Sequence, residues 1–367
     1  MNKNSRFLLS GIIFCASLGL AFFKLPELSQ SIVVVSGTEL QEPLEELEAK
    51  FEEEYPNIDV ELQFQGSQDI VNNYVDQKNS FNPTVLIPAN GEVLNELEKR
   101  WAAQNQTDAF LSEPQPIAKT FLVAIAWKER ADLLFPNQQF QWSAVEDAMT
   151  KKDWGAIANQ EDWGSFDFVI TDPTRSNSGQ LALALWAESK LNTQSLDANS
   201  LNQPKNTELF RLIKKSVYQP PRSTDILLQE FISRGANEGD VAIVYESIAL
   251  YRWQQAAANQ SNSYQIYHLN PTIETVSTAA IASQNVTKSQ AKAAQKWIDF
   301  LLAESQQKTF VTYGFRPVND SIDLASVANS PWSQNIPGSQ ENPTITIQQA
   351  PSASVIGEIQ RLWLRSN

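Results

Sequence analysis

Histidine and cysteine are almost absent from this 367-residue chain, which has one of each, His268 and Cys15. A single cysteine excludes an intramolecular disulfide. One imidazole and one thiol exclude a His/Cys metal cluster within one chain, because such sites draw on several of these ligands. Any Ser-His-Asp or Cys-His arrangement would have to use His268 as its base. That residue closes the alternating stretch Tyr264-Gln-Ile-Tyr-His-Leu, which reads as a strand carrying a structural histidine. Basic residues are also scarce: 28 Lys and Arg against 42 Asp and Glu leave a net charge of -14. Such a chain offers no basic face for nucleic acid or for an anionic membrane surface. It does not exclude an anionic ligand, because backbone N–H groups can bind one locally. The composition therefore predicts no enzyme, no metal, no cofactor and no nucleic-acid partner. Hydrophobic residues make up 42% of the chain, enough to exclude global disorder. The length suits about two ordinary domains.

The chain starts with Lys3, Arg6 and no acid, followed by the uncharged, mostly apolar run 7–23. A positive start and a hydrophobic stretch are the marks of an export signal. Seventeen residues lie at the short edge of what spans a bilayer, which takes roughly 20. Gly19-Leu-Ala21 is a weak cleavage site, so a cleaved signal and an uncleaved anchor tethered through residues 24–31 both remain open. Cys15 follows bulky Ile12-Ile-Phe rather than small residues, which argues against lipidation.

From Ile32 onward strand-like and helix-like stretches alternate. Ile32 to Val35 is a β-branched run of the kind buried on both faces of a parallel sheet. Leu40, Leu44, Leu47 and Phe51 then recur at helical spacing, with Pro43 in the first turn. Residues 58–64 predict a second strand, and Ile70, Val71, Tyr74 and Val75 a second helix. The order implies right-handed βαβ units. Further strands are predicted over 84–87, 120–127, 166–170, 240–245 and 276–282. Helices are predicted over 181–191, 289–302 and 353–364, with a Thr287/Gln290 capping box and a Gly314 stop. Residues 319–350, rich in Ser, Asn, Pro and Gln, read as a long surface excursion. The run from Glu42 through Glu54 reads as a solvated helix face and not a cation site, which needs carboxylates converging from a turn.

Candidate ligand residues cluster where strands end and helices begin. In open α/β sheets ligands bind beyond the carboxyl ends of the strands. Ser36, Gly37, Thr38, Ser67, Thr174, Ser176, Asn177 and Ser178 sit at such junctions. Each alone is an ordinary cap or turn residue; the repetition over three junctions is the signal. Arg175 lies in the same loop and has the fork geometry to hold an oxyanion. Glu246, after Tyr245, would repel an anion but suit a cation, an amine or sugar hydroxyls, or it caps its helix as a first-turn acid. A pairing of Arg175 with Glu246 would leave the cleft nearly neutral and lined by hydroxyls.

Four stretches together carry a resemblance: Ile32-Val-Val-Val-Ser-Gly-Thr with Phe64-Gln-Gly-Ser67, then Asp172-Pro-Thr-Arg-Ser-Asn-Ser-Gly179, then Gly239-Asp-Val-Ala-Ile-Val-Tyr-Glu-Ser247, and last residues 291–302 with 307–317. In this order the chain resembles the type II periplasmic solute-binding proteins of ABC transporters, in particular the molybdate-, sulfate- and phosphate-like group. The resemblance implies an α/β fold of two lobes joined by two hinge crossovers near 121–127 and 264–278. Residues 32–120 and 275–367 would form one lobe and 121–274 the other, behind the leader 1–31. It carries the ligand role onto Ser36, Gly37, Thr38, Ser67, Thr174, Ser176, Asn177, Ser178 and Tyr245, with Asn90 a weaker match. It implies a monomer, periplasmic or tethered to the inner membrane. This monomer would close on a small polar ligand, an oxyanion foremost, and present it to a permease. The alternative is a membrane-anchored sensor that uses the same fold to engage another membrane partner.

Overall fold

The structure, a computed structural model, describes residues 29–217, 219–237, 239–259 and 263–366. The export signal, the anchor and Cys15 lie outside the described residues. Among the described residues, no helix is long and apolar enough to cross a membrane.

The described residues form nine strands in chain order: β1 Gln30–Gly37, β2 Ile58–Gln65, β3 Val85–Ile87, β4 Gln115–Trp127, β5 Phe168–Val169, β6 Val241–Tyr245, β7 Tyr264–His268, β8 Thr272–Ile281 and β9 Ile347–Gln348. They pair in the order β2-β1-β3-β8-β4-β6-β5, with β7 on β4 and β9 on β8. β1 runs parallel to both β2 and β3, as its βαβ connections require. The helix Gln41–Glu54 between β1 and β2 buries Leu44, Leu47 and Phe51 completely, after Leu40 in the preceding 3-10 turn Thr38–Leu40. Phe51 sets its ring edge-on against Trp297 and Phe300 of the helix Lys288–Leu302. Burying each such side chain contributes about 1.5–3 kcal/mol. The Thr287/Gln290 capping box starts that helix, and Gly314, at φ 78°, follows the next one as predicted.

Two strands are long enough to belong to both lobes. β4 and β8 run antiparallel from Gln115↔Ala279 to Phe121↔Glu274. Beyond this stretch β8 continues into the first lobe beside β3, and β4 continues into the second beside β6 and β7. The crossing therefore lies earlier on β4 than the 121–127 expected from sequence, and residues 264–268 are a sheet strand of the second lobe, not a hinge. The apolar run starting at Phe121 marked only the half of β4 that is buried on both faces.

Each lobe has its own core. In the first, Leu44, Phe51 and Trp297 pack on one face of the sheet, and Ile70, Leu86, Leu97 and Trp101 on the other. In the second, Ile125, Leu183, Trp186, Phe231 and Val244 pack together. The C-terminal region departs from the expected division. Ile322, Val327, Trp332 and Ile336 of the supposed surface excursion are buried in the second core. The helix Ala353–Arg365 lays Val355, Ile359, Leu362 and Trp363 onto the helices Asn177–Leu191 and Pro204–Ser216 of that lobe. The chain thus crosses a third time, beside β4, where Lys119 and Arg316 exchange both backbone hydrogen bonds, at 2.8 and 2.7 Å. An amphipathic helix must cover an apolar surface, and the surface it covers here is on the second lobe.

Candidate ligand-binding cleft

The junctions singled out from sequence all lie at the carboxyl ends of strands. At the end of β1 the buried Ser36 donates its hydroxyl to the Ile87 carbonyl at 3.3 Å, tying β1 to β3. A Cβ on Gly37 would lie 2.2 Å from Glu39 Oε1, the far end of a flexible side chain. The Glu39 side chain has folded back over the glycine. At the end of β2 a Cβ on Gly66 would lie 2.7 Å from the Arg175 carbonyl, so the first lobe's backbone touches the second lobe's loop. Ser67 Oγ accepts from Ala89 N–H at 3.0 Å. Asn90 caps the helix Gly91–Asn105 by accepting from Glu92 N–H at 3.1 Å.

Across the cleft, Thr174 is bound to Asp172 through its N–H (2.9 Å) and its hydroxyl (2.7 Å), a local turn. Ser178 gathers the hydroxyls of Thr171, Ser176 and Thr224 at 2.9, 3.2 and 2.6 Å. Asn177 Nδ2 donates to Tyr245 Oη at 3.0 Å, both residues being buried. Burial, and next the Glu39 carboxylate, push the Tyr245 phenol far above its ordinary range, so it stays neutral.

The two charged candidates behave differently from expectation, and they do not pair with each other. Arg175 reaches across the cleft to Asp69, which follows Ser67, at 2.7 and 3.2 Å. Below that contact Gln68 N–H donates to the Arg175 carbonyl at 3.3 Å, and Gln180 Nε2 donates to Gln68 Oε1 at 3.1 Å. Glu246 is engaged by Arg316 and His268. It is fully buried, bound at 2.7 and 2.9 Å by Arg316 and at 2.9 Å by His268 Nε2. Burial raises its pKa, but the hydrogen bonds from His268 and Arg316, with their charges, prevail and hold it below the ordinary carboxylate value. The sequence placed Glu246 correctly after β6 and wrongly among the ligand residues: a buried carboxylate takes the strongest donors within reach, and those lie on the third crossover and on β7. His268 is the structural histidine its strand suggested.

Sequence reasoning missed four charged residues on or beside the same turns. Glu39 is buried, and its Oε1 has no hydrogen-bond partner among the described residues. Burial raises its pKa to about 7, with Asp225 adding to the rise. Asp225 opens the helix Thr224–Arg234, which packs on the 3-10 turn carrying Glu39. Arg252 bonds Asp225 at 2.8 Å and, across the cleft, Glu42 at 2.9 Å. Glu42 is thus not part of a purely solvated face. Asp69 is the fourth, through Arg175. The visible signal for Glu39 was its position, two residues beyond Gly37 at the end of β1, but it reads as one more acid in an acidic helix.

Two α/β lobes joined by long antiparallel crossovers, with their strand-end turns facing each other, define the type II periplasmic-binding fold. The model of the family described as bacterial extracellular solute-binding protein matches residues 32–316, and the chain belongs to that family. No curated protein matches it in sequence. Solved structures of similar fold include a periplasmic thiamin binding protein, 15% identical, with a TM-score of 0.62 over 91% of this chain and 96% of that one. The sulfate-binding protein SubI from Mycobacterium tuberculosis is 16% identical, with a TM-score of 0.58 over 89% and 96%. The ferric binding protein from Campylobacter jejuni is 14% identical, with a TM-score of 0.58 over 91% and 99%. At such identities the likeness establishes the fold. The family and these neighbours are binding proteins, not enzymes, and the family is extracellular, which places the lobes outside the cytoplasm.

Proposed function

We propose that this protein captures a small polar solute between its lobes by hinge closure and presents it to an ABC-type permease. The observation that carries the reading is the facing of two sets of strand-end turns: Gly37 to Glu39 and Gly66 to Asp69 on one side, and Thr174 to Ser178, Thr224, Asp225 and Tyr245 on the other. The crossing of β4 with β8 supplies a hinge about which these turns part and meet. Ser36, Gly37, Thr38, Ser67, Ser176, Asn177, Ser178 and Tyr245 are proposed to shape the site, and Arg175 to lie at its rim, paired with Asp69. An oxyanion, the ligand foremost in the sequence reading, has weaker support, because the Arg175 guanidinium is engaged by Asp69 and the Arg252 guanidinium by Asp225 and Glu42. The apolar run 7–23 is proposed to deliver the chain across the membrane or to hold it there. Thermal-shift and small-angle scattering measurements on the full chain test the reading, with a panel of oxyanions, amino acids, amines and sugars. A ligand that raises the melting temperature and makes the particle more compact supports it, and a panel with no effect on either sinks it.

A further inference from the structure

The cleft is acidic at its centre. Three carboxylates, Glu39, Glu42 and Asp225, share one guanidinium, Arg252, which bonds two of them and leaves Glu39 aside. Buried charges are normally paired. Glu39 is 7% exposed, and its Oε1 is unpartnered among the described residues. Among the described residues two more buried oxygens lack partners: Thr38 Oγ1, next in the chain, and Ser223 Oγ, whose residue caps the helix Thr224–Arg234 that packs on the Glu39 turn, without a side-chain bond to it. All three can accept hydrogen bonds, and an ammonium group offers three donors and no acceptor. From Glu39 and these neighbours we infer that the cleft selects a solute bearing a protonated amine or guanidinium, with the Glu39 carboxylate as its counter-ion. This rests on the proposed capture of a solute between the lobes.

The same geometry disfavours an anion. A carboxyl already lies over Gly37, where an oxyanion would meet the backbone at the end of β1, and Asp225 faces it from the other lobe. Among the described residues, Asp225 on the helix Thr224–Arg234 and Tyr245 at the end of β6 interact with Glu39, and Arg252 links Asp225 to Glu42. None of these gives Glu39 a cation of its own.

The test is calorimetric titration of the full chain with agmatine, lysine and ethanolamine, set against sulfate, molybdate, phosphate and glucose. At least one cationic probe is expected to bind, and Glu39→Gln to weaken it tenfold or more while circular dichroism stays unchanged. Binding of that probe is expected to be weaker at pH 5.5 than at pH 8, as Glu39 takes up a proton, and Glu39→Gln to flatten that dependence. Unaltered affinity in Glu39→Gln overturns the role of Glu39. Binding of anions or glucose alone overturns the cationic ligand and leaves solute capture standing. If no probe of any class binds, both fall.

Discussion

Glu246 is fully buried with both oxygens occupied, so its removal leaves Arg316 and His268 without the carboxylate they share. Breaking a buried pair by removing one partner costs about 3–5 kcal/mol, and Glu246→Ala is expected to lose that much in urea denaturation at pH 7. Its pH dependence has a definite sign. The folded pKa is depressed, so the group's contribution is present above the unfolded value near 4.5 and is lost as pH falls through the folded value. Wild type should therefore lose stability on acidification below pH 5 more steeply than Glu246→Gln does. Equal slopes would show that the carboxylate is not ionised in the fold. Such partners are not legible in a sequence. Arg316 lies 70 residues from Glu246, and Asp69 lies 106 from Arg175. The strand-end position of each candidate followed from local pattern, but the partner of a charge is fixed only when distant crossovers meet.

At the scale of elements the local signals held wherever period and cap agreed. The helix Gln41–Glu54 follows from the 40/44/47/51 spacing, and Lys288–Leu302 from its capping box. What periodicity does not say is which surface an apolar face covers. The helix Ala353–Arg365 showed its stripe plainly, yet it belongs to the second lobe. There Trp363 is buried against the helix Pro204–Ser216, with Lys214 Nζ 4.2 Å above its ring. Truncating a buried tryptophan costs about 3–5 kcal/mol. Trp363→Ala is expected to lower stability by that amount and to do so in the unfolding of the second lobe, followed by hydrogen exchange in β6. Protection lost in β1 and β2 instead would show that the helix serves the first lobe.

Across the whole molecule, charges pair between the two lobes. Among the described residues two guanidiniums, of Arg175 and Arg252, make these pairs. The Arg175 side chain is 43% exposed, and such a pair contributes little in water. The Arg252 side chain is 11% exposed and bonds both Glu42 and Asp225. Without it, Glu42 on one lobe and Asp225 on the other lose the cation that bonds them both. Arg252→Ala is therefore expected to open the unliganded protein, seen as a larger radius of gyration in solution scattering, whereas Arg175→Ala leaves it close to wild type. The opening should shrink at 1 M salt, where the screening length falls to about 3 Å. A solute that bridges the lobes should reverse it, because any ligand bound better by the closed state draws the population there. A cationic solute should reverse it best, since it restores the positive charge that Arg252 supplied. If Arg175→Ala opens the molecule and Arg252→Ala does not, closure is governed at the rim and not at the acidic centre.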